Sequence, residues 1–199
     1  MLKLGITGGI ASGKSTAADF FEKQGAYIFN ADRESKRHLK SSLTLQKKIV
    51  EIFGNNILDE NKINFNALAK VAFKNKINNS ILNGIMWPEI FLIINNTYEK
   101  ISKMKNKYNL FVVDAALIFE ANYVSFFDYT LLITAAKQKR LDRAVSRTNI
   151  SLENIQNRIS LQMSENKKKE LADYVVLNNS SISNLNKNLE KFYNKKLFK

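Results

Sequence analysis

Residues 8–15 read Gly-Gly-Ile-Ala-Ser-Gly-Lys-Ser. Gly8 and Gly13 stand five apart, and Lys14, Ser15 and Thr16 follow at once. This pattern suits the holding of a triphosphate. Glycine lets the chain turn tightly enough for successive backbone N–H groups to point into one concavity and grip anionic oxygens. A helix starting near Lys14 places its positive end beneath the phosphates. The Lys14 ammonium can reach the β- and γ-oxygens, and the Ser15 hydroxyl can ligate Mg²⁺. A chance match in a chain of 199 residues has odds of about one in a hundred. The competing reading is a tight turn that merely joins a strand to a helix. The context adds specificity: an apolar run, Leu2 to Thr7, precedes the motif, and an amphipathic run, Lys14 to Lys23, follows it.

Other residues could share in such chemistry. Asp114 ends an apolar run and could hold the water shell of a magnesium ion, or cap the segment after it. Glu120 is a weaker candidate for the same neighbourhood. Asp32 follows a short strand; a carboxylate there could take a proton from a substrate hydroxyl, and it could equally serve as an N-cap. Arg140, Arg143, Arg147 and Arg158 crowd one basic segment. Guanidinium groups suit the charge spread over a moving phosphoryl group, although a solvated basic helix face would look the same. Arg143 and Arg147 are four apart and share a face. His38, the only histidine, reads as a surface residue, and Trp87 as packing.

The elements that must position these groups follow from apolar periodicity. Strands are expected at Leu2–Thr7, Ala26–Phe29, Leu110–Asp114, Tyr129–Thr134 and Tyr174–Leu177. Helices are expected at Lys14–Lys23, which Gly25 stops, and at Asp32–Lys40, Leu45–Phe53 and Asn64–Phe73. Ile81–Met104 continues the helical pattern with Pro88 interrupting it, the proline sitting in the first turn of the helix that follows. Further helices are expected at Lys137–Ser146, Ser151–Ser164 and Ile182–Tyr193. Strands alternating with helices imply an α/β fold of three layers: a five-stranded parallel sheet with helices on both faces. The expected organisation is a single domain, 1–199. Its core is 1–31, 108–136 and 171–199, with a helical substrate-binding insert at about 32–107 and a basic lid at about 137–170.

Hydrophobic residues make up 45% and charged residues 25%, as in an ordinary globular protein. No uninterrupted apolar stretch approaches the ~18 residues of a membrane span, and no signal-peptide pattern is present. The absence of cysteine excludes disulfides and thiolate metal sites. A cytoplasmic enzyme without a membrane partner is expected. The net charge of +13 could mark a polyanion partner. Lysine and asparagine crowd the same segments, however, so compositional drift is the favoured explanation. Aromatics are not interleaved with arginine, and no nucleic-acid partner is expected. Oligomeric state has no signal in the sequence.

Several blocks in order resemble the dephospho-coenzyme A kinase family. They are Gly5-Ile-Thr-Gly-Gly-Ile-Ala-Ser-Gly-Lys-Ser-Thr16, Gly25-Ala-Tyr-Ile-Phe-Asn-Ala-Asp32, Leu117-Ile-Phe-Glu120, Arg143 with Arg147, Arg158-Ile-Ser-Leu-Gln162 and Ala172-Asp-Tyr-Val-Val-Leu-Asn178. The resemblance runs from Leu4 to about Asn179 and implies the P-loop NTPase fold of the nucleoside-monophosphate kinases. It implies ATP and Mg²⁺, with dephospho-CoA as the small-molecule acceptor phosphorylated on its ribose 3′-hydroxyl in the last step of coenzyme A synthesis. It implies ATP-phosphate contacts from Gly8 and Ala11 to Thr16, with Arg147 from the lid. Lys14, Asp32 as base, and Arg143 are the implied catalytic residues, and Ser15 the implied magnesium ligand, with Asp114 as a further candidate. The sequence departs from the family at Ala11, where glycine is usual and an αR-compatible backbone would tolerate the methyl. It departs also at Asn30, Lys36, Phe65, Trp87 and Ala116, mostly on the acceptor side.

The nearest rival is another small-molecule or nucleoside-monophosphate kinase on the same fold. A GTPase-type switch lacks its guanine motif, since Asn61-Lys62-Ile63-Asn64 has no acid and comes too early. Lys14→Ala is expected to lower kcat by orders of magnitude while circular dichroism shows an intact fold. Unchanged turnover would overturn the assignment of the loop.

Overall fold

The run Leu-Phe-Val-Val-Asp is buried at all five residues, as a strand covered on both faces must be. In the computed structural model, which describes residues 1–104, 107–147 and 151–197, it is an inner strand of a parallel sheet. In chain order the strands are β1 (Leu2–Thr7), β2 (Ala26–Asn30), the two-residue β3 (Leu58–Asp59) and β4 (Lys62–Ile63), β5 (Leu110–Asp114), β6 (Tyr129–Thr134) and β7 (Tyr174–Leu177). The helices are α1 (Lys14–Lys23), α2 (Ala31–Ser41), α3 (Leu43–Phe53), α4 (Phe65–Ala72), α5 (Lys76–Ser102), α6 (Lys137–Arg147), α7 (Leu152–Ser160), α8 (Glu165–Leu171) and α9 (Ile182–Phe192).

Two compact units are present: Met1–Asn30 with Asn96–Lys199, and Ala31–Asn95. The first holds the sheet, in the order β2-β5-β1-β6-β7 with every pairing parallel. The chain leaves β1 towards β2 on one side and leaves β5 towards β6 on the other. Neighbours β1 and β5 therefore form a topological switch point, and ligands bind at the carboxyl ends of strands there. Alternate residues Leu4, Ile6, Leu110, Val112, Leu131 and Ile133 face one side and pack with Ala17 and Phe21 of α1 and Leu185, Leu189 and Phe192 of α9. On neighbouring positions, Tyr27 stacks on Phe111 at 5.5 Å, and Tyr98 meets the same ring edge-on at 5.4 Å. The second unit has its own core, built from Leu39, Leu45, Ile49, Ile57, Leu68, Ile85 and Met86.

The five sheet strands and α1 fall where periodicity places them. Four features differ from expectation. First, the region after Asp32 contains a small antiparallel hairpin, β3–β4, turned by Glu60 and Asn61 at φ 45° and 63°. Two left-handed residues in succession make the turn that matches strand twist, but two-residue strands leave no alternation to read. Second, the helix expected over Ser151–Ser164 ends at Ser160, and α8 begins afresh at Glu165. Ser164 accepts the Lys167 N–H as its N-cap. Third, His38 has a partner 51 residues away: its Nε2 lies 2.9 Å from Glu89 Oε2.

The fourth difference is Pro88, which lies inside α5 rather than in a first turn. It removes a hydrogen bond to the Gly84 carbonyl one turn earlier. Gly84 is exposed with open space around it. By length and composition α5 could cross a membrane. Its apolar residues are interrupted by Asn83, Glu89 and Asn95, and Ile85, Met86, Ile90, Ile94 and Ile101 are buried by protein. Pro88→Ala restores the missing donor and is expected to raise unfolding free energy by about 1–2 kcal/mol, after subtraction of the proline's entropic benefit. Denaturant unfolding measures this.

Candidate active site

The loop between β1 and α1 is held in a conformation that ordinary residues resist. Gly8, Ala11 and Gly13 have φ of 154°, 57° and 104°. Ala11 is thus left-handed, not αR as its tolerance of a methyl suggested. The cost relative to glycine is on the order of 1–2 kcal/mol. Its methyl recovers contact by packing, with Ile10, against Leu141, Ala144 and Ile155 of α6 and α7. No side chain caps α1, whose N-terminus opens at Gly13. Lys14 folds back so that its Nζ donates to the Gly8 carbonyl at 3.0 Å. The Ser12 hydroxyl is buried without a partner, and the Ser15 side chain is exposed at the helix start. Lys14, Ser15 and Thr16 enter the site as the first turn of that helix.

The carboxyl ends of the other strands close around this loop. Asn178, one residue beyond β7, is buried, and its amide donates to the Ser12 carbonyl at 2.9 Å. Its own N–H donates to Thr134 at the end of β6, and its carbonyl accepts from Arg143 Nη2 at 3.0 Å. A Cβ on Gly13 would lie 2.3 Å from the Asn178 amide nitrogen, so only glycine allows this approach. Arg140 lies against Gly9 so closely that a Cβ there would be 2.1 Å from its Nη1. Arg140 is paired at 3.1 Å with Glu165, which also accepts the Thr134 hydroxyl. A cavity of about 450 Å³ opens beside this cluster, bordered by Lys137, Arg140, Gln162, Glu165 and Asn179.

The basic segment therefore divides. Arg140 is consumed by an ion pair. Arg143 is half-buried, with Nη2 donating to the Asn178 carbonyl and Nη1 buried without a partner. Arg147 is exposed at the last residue of α6. Burial pulls the Arg158 guanidinium below its ordinary pKa. Arg143 and Arg147 share a helix face, as their spacing requires, but only Arg143 is tied to the loop's support.

Asp114 is buried at the end of β5, directly opposite Asn30 in the β2–β5 register. Asn30 Nδ2 donates to Asp114 Oδ2 at 3.1 Å. Where a second acid would face Asp114, an amide fixes one of its oxygens. No cluster of three or more His, Cys, Asp or Glu side chains exists among the described residues. A hydroxyl, one carboxylate and phosphate oxygens suit Mg²⁺, which keeps several waters and takes few protein ligands. The buried, unpartnered Ser12 hydroxyl and Arg143 nitrogen suit an anionic polyphosphate. Glu120 is engaged elsewhere: its Oε1 lies 2.9 Å from the buried Lys168 ammonium. Asp32 belongs to the second unit, exposed at the second position of α2. Helix α2 starts at Ala31, so Asp32 lies inside the first turn and is not its N-cap. Trp87 and Phe65 are partly buried in the same unit, and Lys40 lies 5.5 Å from the Phe65 ring centroid.

Asn178, Glu165 and Lys168 were not singled out by sequence reasoning; Asn178 was visible only as the last residue of a family-like block. Asn178→Ala removes the amide that donates to the buried Ser12 carbonyl and keeps the backbone carbonyl to which Arg143 donates. It is expected to cost about 1–3 kcal/mol of stability and to weaken nucleotide binding. Denaturant unfolding and nucleotide titration of the same variant measure both.

A family model for dephospho-CoA kinase matches residues 2–184. The dephospho-CoA kinase of Protochlamydia amoebophila is 32% identical over 191 residues, covering 96% of this chain and 94% of its own length. That of Fusobacterium nucleatum is 33% identical over 190 residues, covering 95% of each chain. The solved structure of the dephospho-CoA kinase from Campylobacter jejuni superposes with a TM-score of 0.69 at 25% identity, covering 98% of this chain and 96% of that one. With a glycine loop at the switch point of a parallel sheet ordered β2-β5-β1-β6-β7 and matches that span nearly the whole chain, the protein belongs to the dephospho-CoA kinase family.

Proposed function

We propose that the protein transfers the γ-phosphoryl group of ATP to the ribose 3′-hydroxyl of dephospho-CoA, giving coenzyme A and ADP in the cytoplasm. The observation that carries the reading is the Gly8–Ser15 loop, braced by Asn178 and Arg143 at the carboxyl ends of the strands. Family membership supports the acceptor. The loop N–H groups and the open N-terminus of α1 would hold the β- and γ-phosphates. Lys14 would exchange the Gly8 carbonyl for phosphate oxygens. The free nitrogen of Arg143 would take charge developing on the transferred group, and Arg147 would close over ATP from the end of α6. Ser15 and Asp114 would hold magnesium, which when bound neutralises charge between the β- and γ-oxygens. Asp32 would accept the hydroxyl proton as the acceptor oxygen bonds to the γ-phosphorus and ADP departs. The basic segment would exclude water that would otherwise hydrolyse ATP.

ADP release is measured with ATP and Mg²⁺ and, in parallel, dephospho-CoA, AMP, CMP, shikimate or no acceptor. Release that needs dephospho-CoA and yields coenzyme A is expected; a preference for another acceptor would overturn the substrate assignment and leave the phosphate loop standing. In the same assay Asp32→Asn is expected to reduce kcat at least tenfold with little change in ATP affinity. A loss confined to ATP affinity would remove Asp32 from the role of base.

A further inference from the structure

Lys168 in α8 is fully buried and has no part in the phosphate chemistry above. Its ammonium lies 2.9 Å from Glu120 Oε1 and donates to the Ala116 carbonyl at 3.1 Å. The same carbonyl accepts the Thr7 hydroxyl at 3.2 Å, and the Ala115 N–H donates to the Ile6 carbonyl. Glu120 Oε1 also accepts the Met163 N–H at 2.9 Å, while Oε2 is buried without a partner. The ammonium and the carboxylate thus join two backbone segments directly, and the Thr7 hydroxyl and the Ile6 carbonyl tie a third to them at Ala115–Ala116. The first two are the stretch that follows Asp114 and the residues leading from α7 into α8, and the third is the end of β1 just before Gly8.

Stability does not account for this pair. Removing two charges from water is repaid incompletely by their attraction, and apolar side chains of similar volume often do as well or better. What apolar side chains cannot do is bridge a backbone carbonyl and a backbone N–H in a place closed to water. We propose that Lys168 and Glu120 are positioning residues for phosphoryl transfer. They hold the segment beyond Asp114 in register with the phosphate loop and with the return of the basic segment. Phosphoryl transfer gains most of its rate from positioning, and a shift of about 1 Å can cost up to a hundredfold.

The proposal rests on the kinase reading, and wild-type turnover in the same assay decides that reading separately. Lys168→Met alone strands a buried carboxylate and is expected to lower Tm. The double variant Lys168→Met/Glu120→Leu removes both charges. Its Tm is expected within a few degrees of wild type, while kcat stays about tenfold or more below it. Recovery of both Tm and kcat in the double variant would overturn the proposal, because the pair would then only fill space. Glu120→Gln keeps the side-chain size and the acceptor for Met163, and serves should the double variant fail to fold. A several-fold drop in kcat with unchanged ATP KM is expected for it, and wild-type kcat would overturn the proposal equally.

Discussion

A phosphate loop with three residues at positive φ does not hold its own shape. The hydrogen bond from the Asn178 amide to the Ser12 carbonyl supplies the constraint from outside. The two residues are 166 apart in sequence, and the bond forms only once β7 has been added to the far side of β6. The loop's conformation is therefore a property of the completed sheet. Arg143 depends on the same residue, since it donates to the Asn178 carbonyl. One buried residue thus meets the loop through its side-chain amide and Arg143 through its backbone carbonyl.

Around this bond the site is assembled from charged groups that are mostly spent on one another. Arg140 is neutralised by Glu165 and Lys168 by Glu120, each cation almost wholly buried. Such pairs carry desolvation penalties on the order of several kcal/mol per ion, so they are weak as stabilisers and useful as fixed struts. Among the described residues the buried groups left with capacity to spare are the Ser12 hydroxyl, Arg143 Nη1, Arg140 Nε and Glu120 Oε2, and the Ser15 hydroxyl is exposed. The Ser12 hydroxyl and the Arg143 nitrogen, beside an open helix N-terminus, have the chemistry that suits an anion.

The sheet strands were legible because their runs are short, apolar and bounded by glycine or acid. The loop was legible because its residue types are dictated by local backbone geometry. The β3–β4 hairpin was not, since two-residue strands carry no period. The break between α7 and α8 was not, because Ser164 reads equally as a helical residue and as a cap. Proline's cost inside a helix points to a helix start for Pro88, whereas the packing of the long helix keeps it in the interior of α5. An αR-compatible backbone would tolerate the methyl of Ala11, but the loop holds this residue left-handed.

The sequence by itself determined the family likeness and the fold: a glycine-rich loop motif with its lysine and serine, on a parallel α/β sheet, in a chain that resembles the dephospho-CoA kinases. These depend on residues adjacent in the chain, so spacing carries the information. Only the tertiary structure decided how the distant residues divide their labour. It separated Arg143 from Arg140, paired Glu120 with Lys168, faced Asp114 with the Asn30 amide, and joined the Asn178 amide to the Ser12 carbonyl of the loop. Each of these is a pairing across strands or helices far apart in sequence, formed by burial and strand register, which no local pattern encodes.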